Sequence, residues 1–215
     1  SLKQLNKILC VEFKMTNAKV RGRPRKATRE DLSFRAMEIY CHQGLSRISF
    51  NEICRQLDIA KPSIYRNFGN EDGLVASALK LYVSEITQKL NEIIKTDENF
   101  MIQLERLQDF FLDISLRYNQ GCLLLQAWRI QGDLGKQIIE FLKSTTQKLV
   151  KIFEFWIKSA LIKKEVSKAV KPNIGAYLVL SCIGFCQTAI SSGMSTEHTR
   201  EVMSLSVSSL THSFA

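Results

Sequence analysis

From Leu32 to Leu210 the apolar residues recur at intervals of three and four, and no stretch sustains an apolar–polar alternation. That period belongs to helices rather than strands, so the chain is predicted to be all-α. Three prolines, at positions 24, 62 and 172, interrupt no long periodic segment. Proline inside a helix removes a hydrogen bond and clashes with the preceding turn, so their placement favours the same reading.

Start and stop signals divide the pattern. Thr28 followed by Asp31 makes a capping box for a helix with Leu32, Ala36, Ile39 and Tyr40 on one face, ended by Gly44. Ser49 caps a second helix whose inner face carries Ile53 and Leu57. After Asp58-Ile59-Ala60, the segment Lys61-Pro62-Ser63 opens a third, short helix that stops at Gly69-Asn70. Two short helices joined by a three-residue turn, with another packed across them, form a helix-turn-helix.

Longer helices follow: one to about Lys95, then Phe100 to Tyr118, a short apolar one from Cys122 to Ile130, a long one from Ile138 to Ala160, Pro172 to about Gly193, and a last one from Thr196. The expectation is about nine helices. A basic arm is expected at 1–27, a three-helix unit at 28–74, and a larger helical bundle at 75–215.

Apolar residues are 45% of the chain and charged residues 24%, which suits a globular protein. The net charge of +9 is unevenly placed. Residues 1–69 hold 14 Lys and Arg against 6 acidic residues, and residues 70–215 hold 16 against 15. A basic module attached to a neutral one points to nucleic acid, a solvated basic tail being the alternative.

The cysteines at 10, 41, 54, 122, 182 and 186 form no Cys-x-x-Cys pair, and the opening SLKQLNKILCVEFK has too broken an apolar stretch for a secretory signal. A reduced, cytoplasmic chain is expected. Cys182 and Cys186, one helical turn apart, read as buried inert thiols, with a thiol sensor as the alternative. The nearly apolar run Ala176–Ile190 is 15 residues, short for a membrane span, so no membrane partner is expected. His42, His198 and His212 lack ligand spacing, which argues against a metal site. With no phosphate loop, zinc-protease motif or nucleophile elbow, the sequence suggests neither an enzyme nor a cofactor.

Two strings carry function. Arg21-Gly22-Arg23-Pro24-Arg25-Lys26 resembles the core of an AT-hook. Glycine lets the backbone lie on a narrow minor groove while Arg21, Arg23 and Arg25 enter its negative potential. The second string runs through Ala36-Met37-Glu38-Ile39-Tyr40, Gly44, Ile48-Ser49-Phe50-Asn51-Glu52-Ile53 and Ile59-Ala60-Lys61-Pro62-Ser63-Ile64-Tyr65-Arg66-Asn67-Phe68 to Leu74. At that spacing it resembles the DNA-binding domain of TetR-family transcriptional regulators. A recognition helix enters the major groove N-terminus first, so Lys61, Pro62, Ser63, Arg66 and Asn67 are the candidates there. Tyr65 resembles the family tyrosine that meets a phosphate. Ser49 and Asn51 stand at a helix start that can hold another. Two positions depart from the family pattern. Asp58 replaces a turn glycine, and Asp tolerates left-handed backbone. Glu71 replaces a phosphate-contacting lysine and is given no such role.

The C-terminal part resembles the family less. Gln120-Gly121-Cys122-Leu123-Leu124 is similar to a turn found in some members. Phe111, Tyr118, Trp128, Phe153, Trp156 and Tyr177 are candidate pocket residues, as is Phe185, with Gln126 and Arg129 as polar mouths. The resemblance implies a homodimer through the last two helices. The helix from Pro172 is apolar on several sides, and the last helix has a stripe of Met203, Val207, Leu210 and Phe214. It further implies a repressor that leaves a palindromic double-stranded operator when an unidentified small-molecule effector binds. An architectural DNA-binding protein without a ligand is the alternative.

Overall fold

The computed structural model describes residues 27–118 and 120–211. The basic arm with Arg21, Arg23 and Arg25 lies outside the described residues, as does Phe214. Among the described residues there are nine α-helices and no strand, the all-α fold the periodicity predicts.

Helix α1 (Arg29–Gln43) begins with a reciprocal cap. The Thr28 hydroxyl accepts the Asp31 N–H at 3.1 Å, and the Asp31 carboxylate accepts the Thr28 N–H at 3.1 Å. It ends at Gly44 with φ 96°. Helix α2 (Phe50–Leu57) is capped by Ser49, which accepts the Glu52 N–H, and the turn after it passes through Asp58 at φ 53°, ψ 50°. Asp58 therefore takes the left-handed conformation expected of it. Helix α3 (Lys61–Phe68) carries Pro62 in its first turn, where no intrahelical acceptor awaits an N–H. Leu32, Met37, Ile53, Leu57, Ile64 and Phe68 are buried together and lock the three helices into one unit.

Helix α4 (Glu71–Ile94), capped by Asn70, packs on α1 and α3 and runs into the rest of the molecule. It starts so close to α3 that a Cβ on Gly73 would stand 1.8 Å from the Phe68 carbonyl oxygen. Glycine is required there by close backbone approach.

The body consists of α5 (Phe100–Arg117), α6 (Leu123–Arg129), a 3-10 turn (Gln131–Asp133), α7 (Lys136–Ile162), α8 (Pro172–Ser191) and α9 (Thr196–Ser208). Helix α8 packs against α5, α7 and α9. It is long and apolar enough to cross a membrane by length and composition. Its Gly175, Ala176, Val179, Cys182, Cys186 and Ala189 are nevertheless buried, as in the central helix of a bundle.

Distant polar pairs tie the body together. Gln103 accepts the Trp156 indole N–H at 2.6 Å and donates to the Thr96 carbonyl at 2.9 Å. Glu165 accepts the Phe100 N–H at 3.0 Å, and Gln187 accepts the Cys122 N–H at 2.7 Å. Two bonds cross to the three-helix unit. The Leu45 N–H donates to Gln126 at 2.8 Å, and the Tyr118 hydroxyl donates to Glu38 at 2.9 Å.

One expectation about the last helix is corrected. Met203, Val207 and Leu210 are buried within the protomer, each at most 3% exposed. The large apolar side chains that α9 presents to solvent are Val202 and Leu205 instead. A hydrophobic stripe read from sequence shows that a helix has an apolar face, but not which neighbour covers it.

Candidate nucleic-acid interface

Helix α3 buries Ile64 and Phe68 and leaves Lys61, Pro62, Tyr65 and Arg66 exposed. Ser63 and Asn67 are half-buried between them. The Asn67 amide nitrogen donates to the Ser63 carbonyl at 2.7 Å, and an Arg66 guanidinium N–H donates to the Ser63 hydroxyl at 3.1 Å. Both polar ends are thus held along the helix rather than extended from it.

The start of α2 contributes Ser49 and Asn51, both exposed. The Ser49 oxygen accepts the Glu52 N–H at 3.2 Å, which leaves its own O–H available to donate. Further along α2, Arg55 grips Glu52 with two bonds of 2.8 and 2.6 Å, and Gln56 adds a third of 2.6 Å. The Arg55 and Gln56 bonds to the carboxylate lower the Glu52 pKa to about 2. Arg55 is thereby engaged locally.

The two helices meet through an aromatic that the sequence analysis gave no role. The Phe50 ring stacks on Tyr65 with centroids 5.8 Å apart and an interplanar angle of 25°. The Lys61 ammonium lies 5.4 Å from the centroid of the same ring. No helical spacing relates position 50 to 61 or 65, so only the packing of α2 on α3 brings them together. Glu71 stands at the start of α4. Burial and the neighbouring Asp72 raise its pKa, against the pull of Lys61.

An exposed cationic and hydroxyl-bearing face, framed by two helix starts, has the chemistry to meet phosphates and base edges. Residues 35–78 match the family model described as bacterial regulatory proteins of the tetR family. This segment is therefore a TetR-type DNA-binding domain by its match.

Among its relatives is the HTH-type transcriptional repressor BdcR of Escherichia coli (strain K12), 29% identical over 114 residues. That match spans 51% of this chain and 56% of BdcR, so about half the length of each is aligned. Solved structures extend the likeness to the whole fold. A TetR-family regulator from Agrobacterium tumefaciens superposes with a TM-score of 0.75 at 13% identity, covering 86% of this chain and 98% of that one. The regulator CifR, as a cysteine-substituted variant complexed with 26-bp double-strand operator DNA, superposes with a TM-score of 0.72 at 16% identity. That superposition covers 88% of this chain and all of CifR.

The aromatic residues expected around a pocket are dispersed, apart from Phe153 and Trp156, whose ring centroids lie 6.3 Å apart. Phe153 and Trp156 are buried in the body core, with the indole N–H of Trp156 taken by Gln103. Trp128 donates to Thr146 at 3.3 Å, and Tyr118 turns towards α1 to meet Glu38. Tyr177 stands exposed on α8, and Phe185 is half-buried there. Phe111 lines a small apolar cavity between α5, α8 and α9 with Leu104, Val179, Cys182 and Met203. Of the two polar mouths, Gln126 serves the crossing bond to Leu45. Cys182 and Cys186 are buried, and burial pushes both thiols above their ordinary pKa. No group of His, Cys, Asp and Glu among the described residues is arranged to hold a metal ion.

Proposed function

We propose that this chain is a TetR-type transcriptional repressor that binds a palindromic operator as a homodimer and leaves it when a small molecule binds the body. The observation that carries the DNA reading is the exposed face of Lys61, Tyr65 and Arg66 beside Ser49 and Asn51, inside the family-matched segment. BdcR is named a transcriptional repressor, and the CifR structure holds operator DNA; both are consistent with this reading. In this account Ser63, Arg66 and Asn67 face base edges, whereas Ser49, Asn51, Lys61 and Tyr65 hold the phosphate backbone. The arginines of the arm add minor-groove contacts on the flanks.

Dimerisation is supported by apolar side chains left exposed on the last two helices. Ile174 and Tyr177 of α8 are 58% and 55% exposed, and Leu205 of α9 is 73% exposed. Pairing them with a second copy removes that surface from water and sets two α3 helices about a two-fold axis, as a palindrome requires. The repressor acts in the cytoplasm, on the nucleoid when bound.

Selection of bound duplexes from a random pool tests the whole proposal. The enriched sequence is expected to be palindromic, and the protein to sediment as a dimer at micromolar concentration. On that operator Ser63→Ala or Asn67→Ala should relax preference at particular base pairs, costing about 1–3 kcal/mol. Tyr65→Phe should weaken every sequence about equally. Removing residues 1–26 should cost most where the flanks are A·T-rich, and should flatten the salt dependence by about 0.9 per lost phosphate contact. A pool that yields no preferred sequence sinks the repressor reading.

A further inference from the structure

We propose that Phe50 is a positioning residue for DNA binding: its ring holds Lys61 and Tyr65 in the arrangement that meets the phosphate backbone. This rests on the DNA-binding reading of α2 and α3.

Phe50 is the first residue of α2, directly after the capping Ser49. Its ring is only partly buried, so filling the core does not account for all of it. The exposed part is occupied by two residues of the candidate interface. Tyr65 stacks on it at 5.8 Å and 25°, and the Lys61 ammonium lies over it at 5.4 Å. Lys61 and Tyr65 are four apart on α3 and therefore share a face, which is the face Phe50 touches.

The physical effect follows from what each side chain loses on binding. A solvent-exposed lysine samples many rotamers, and reaching one phosphate forfeits them. An ammonium attracted to the ring's negative face has already surrendered part of that freedom. Tyr65, 49% exposed, would rotate freely without a stacking partner, and the stack fixes the direction in which its hydroxyl points. One ring thus preorganises two phosphate contacts on a second helix, and it locks the angle between the helix starts that flank them. Losing the ring therefore removes a cation–π contact as well as an apolar one.

The test uses the full chain and the duplex obtained by selection. Phe50→Leu keeps apolar bulk but removes the aromatic face, Phe50→Tyr keeps the face, and Lys61→Met removes the charge. Phe50→Leu should weaken operator binding about tenfold, while Phe50→Tyr should stay within about twofold of the wild type. The Lys61→Met loss should shrink in the Phe50→Leu background, since the two act as one unit. In the unbound wild type, the Lys61 ε-methylene protons should resonate upfield under the ring current, and they should return to ordinary values in Phe50→Leu. The Lys61 resonance needs no variant to fold: an unshifted signal in the wild type overturns the proposal. Equal losses for Leu and Tyr, or strictly additive losses with Lys61→Met, also overturn it. A wild type that binds no duplex overturns the DNA reading and this assignment together. Normal wild-type binding beside an unimpaired Phe50→Leu overturns this assignment alone.

Discussion

Both the three-helix unit and the body cap helices locally, but their side-chain bonds between helices differ. Those of the unit are exposed, as from Arg35 to the Gln56 carbonyl and between Gln43 and Gln56, whereas the body has buried ones, as between Gln103 and Trp156. In the unit, the bonds that set the helix starts join residues three apart: Thr28 with Asp31 and Ser49 with Glu52. In the body, the bonds that fix the packing join residues far apart, such as Gln103 with Trp156 and Gln187 with Cys122. A local bond is made as soon as its own helix turn forms, and is worth a cap. A distant bond exists only once several helices have packed, and its loss leaves buried partners stranded in a low-dielectric interior. Mutations should therefore be mild in the first region and severe in the second.

The largest effect is expected at Gln103. Replacing it with Leu strands the buried Trp156 N–H and the Thr96 carbonyl, and should cost about 3 kcal/mol in urea denaturation. A cost no greater than that of losing a helix cap would erase the contrast between the regions.

Gln126 sharpens the comparison because its bond crosses between the two regions. Gln126→Leu leaves the Leu45 N–H without its acceptor and should cost about 2 kcal/mol. Hydrogen exchange at Leu45 should accelerate far more than exchange in the middle of α7. Uniform acceleration would mean that the seam and the body open as one unit.

The caps come next. Ser49→Ala and Thr28→Ala should each cost about 1 kcal/mol, with the fold unchanged by circular dichroism. A loss comparable to that of Gln103→Leu would show that the unit depends on its local bonds as heavily as the body does on its distant ones.

The smallest effect concerns Glu52, a purely local and exposed site. Its carboxyl should titrate near 2 by carbon-detected NMR, and Arg55→Ala should return it towards the ordinary glutamate value. Because the folded pKa is the lower one, the stabilisation is present above the unfolded pKa and fades as pH falls through that range towards 2. Titration at the ordinary value in the wild type would mean that Arg55 does not hold the carboxylate in solution.

The same contrast explains what was legible beforehand. The capping box at Thr28, the Ser49 cap, the left-handed Asp58 and the boundaries of the long helices could all be read from neighbouring residues, because each depends on conformational preferences within about one helical turn. The exposed residues of α3 were legible for the same reason. Ile64 and Phe68 mark its inner face, so Lys61, Tyr65 and Arg66 must lie on the other.

Phe50 was not legible. Its partners stand 11 and 15 positions away on a different helix, and no periodicity connects them. The surroundings of the candidate pocket aromatics were not legible for a related reason. An aromatic residue in an apolar helix reads the same whether it lines a cavity or fills the core, and Phe153 and Trp156 fill the core. The stripe on α9 shows the limit most directly. The sequence by itself determined that Met203, Val207 and Leu210 share an apolar face, since the helical repeat is a property of the backbone. Only the tertiary structure decided that this face turns inward, leaving Leu205 outside, because which surface is covered depends on the packing of helices from distant parts of the chain.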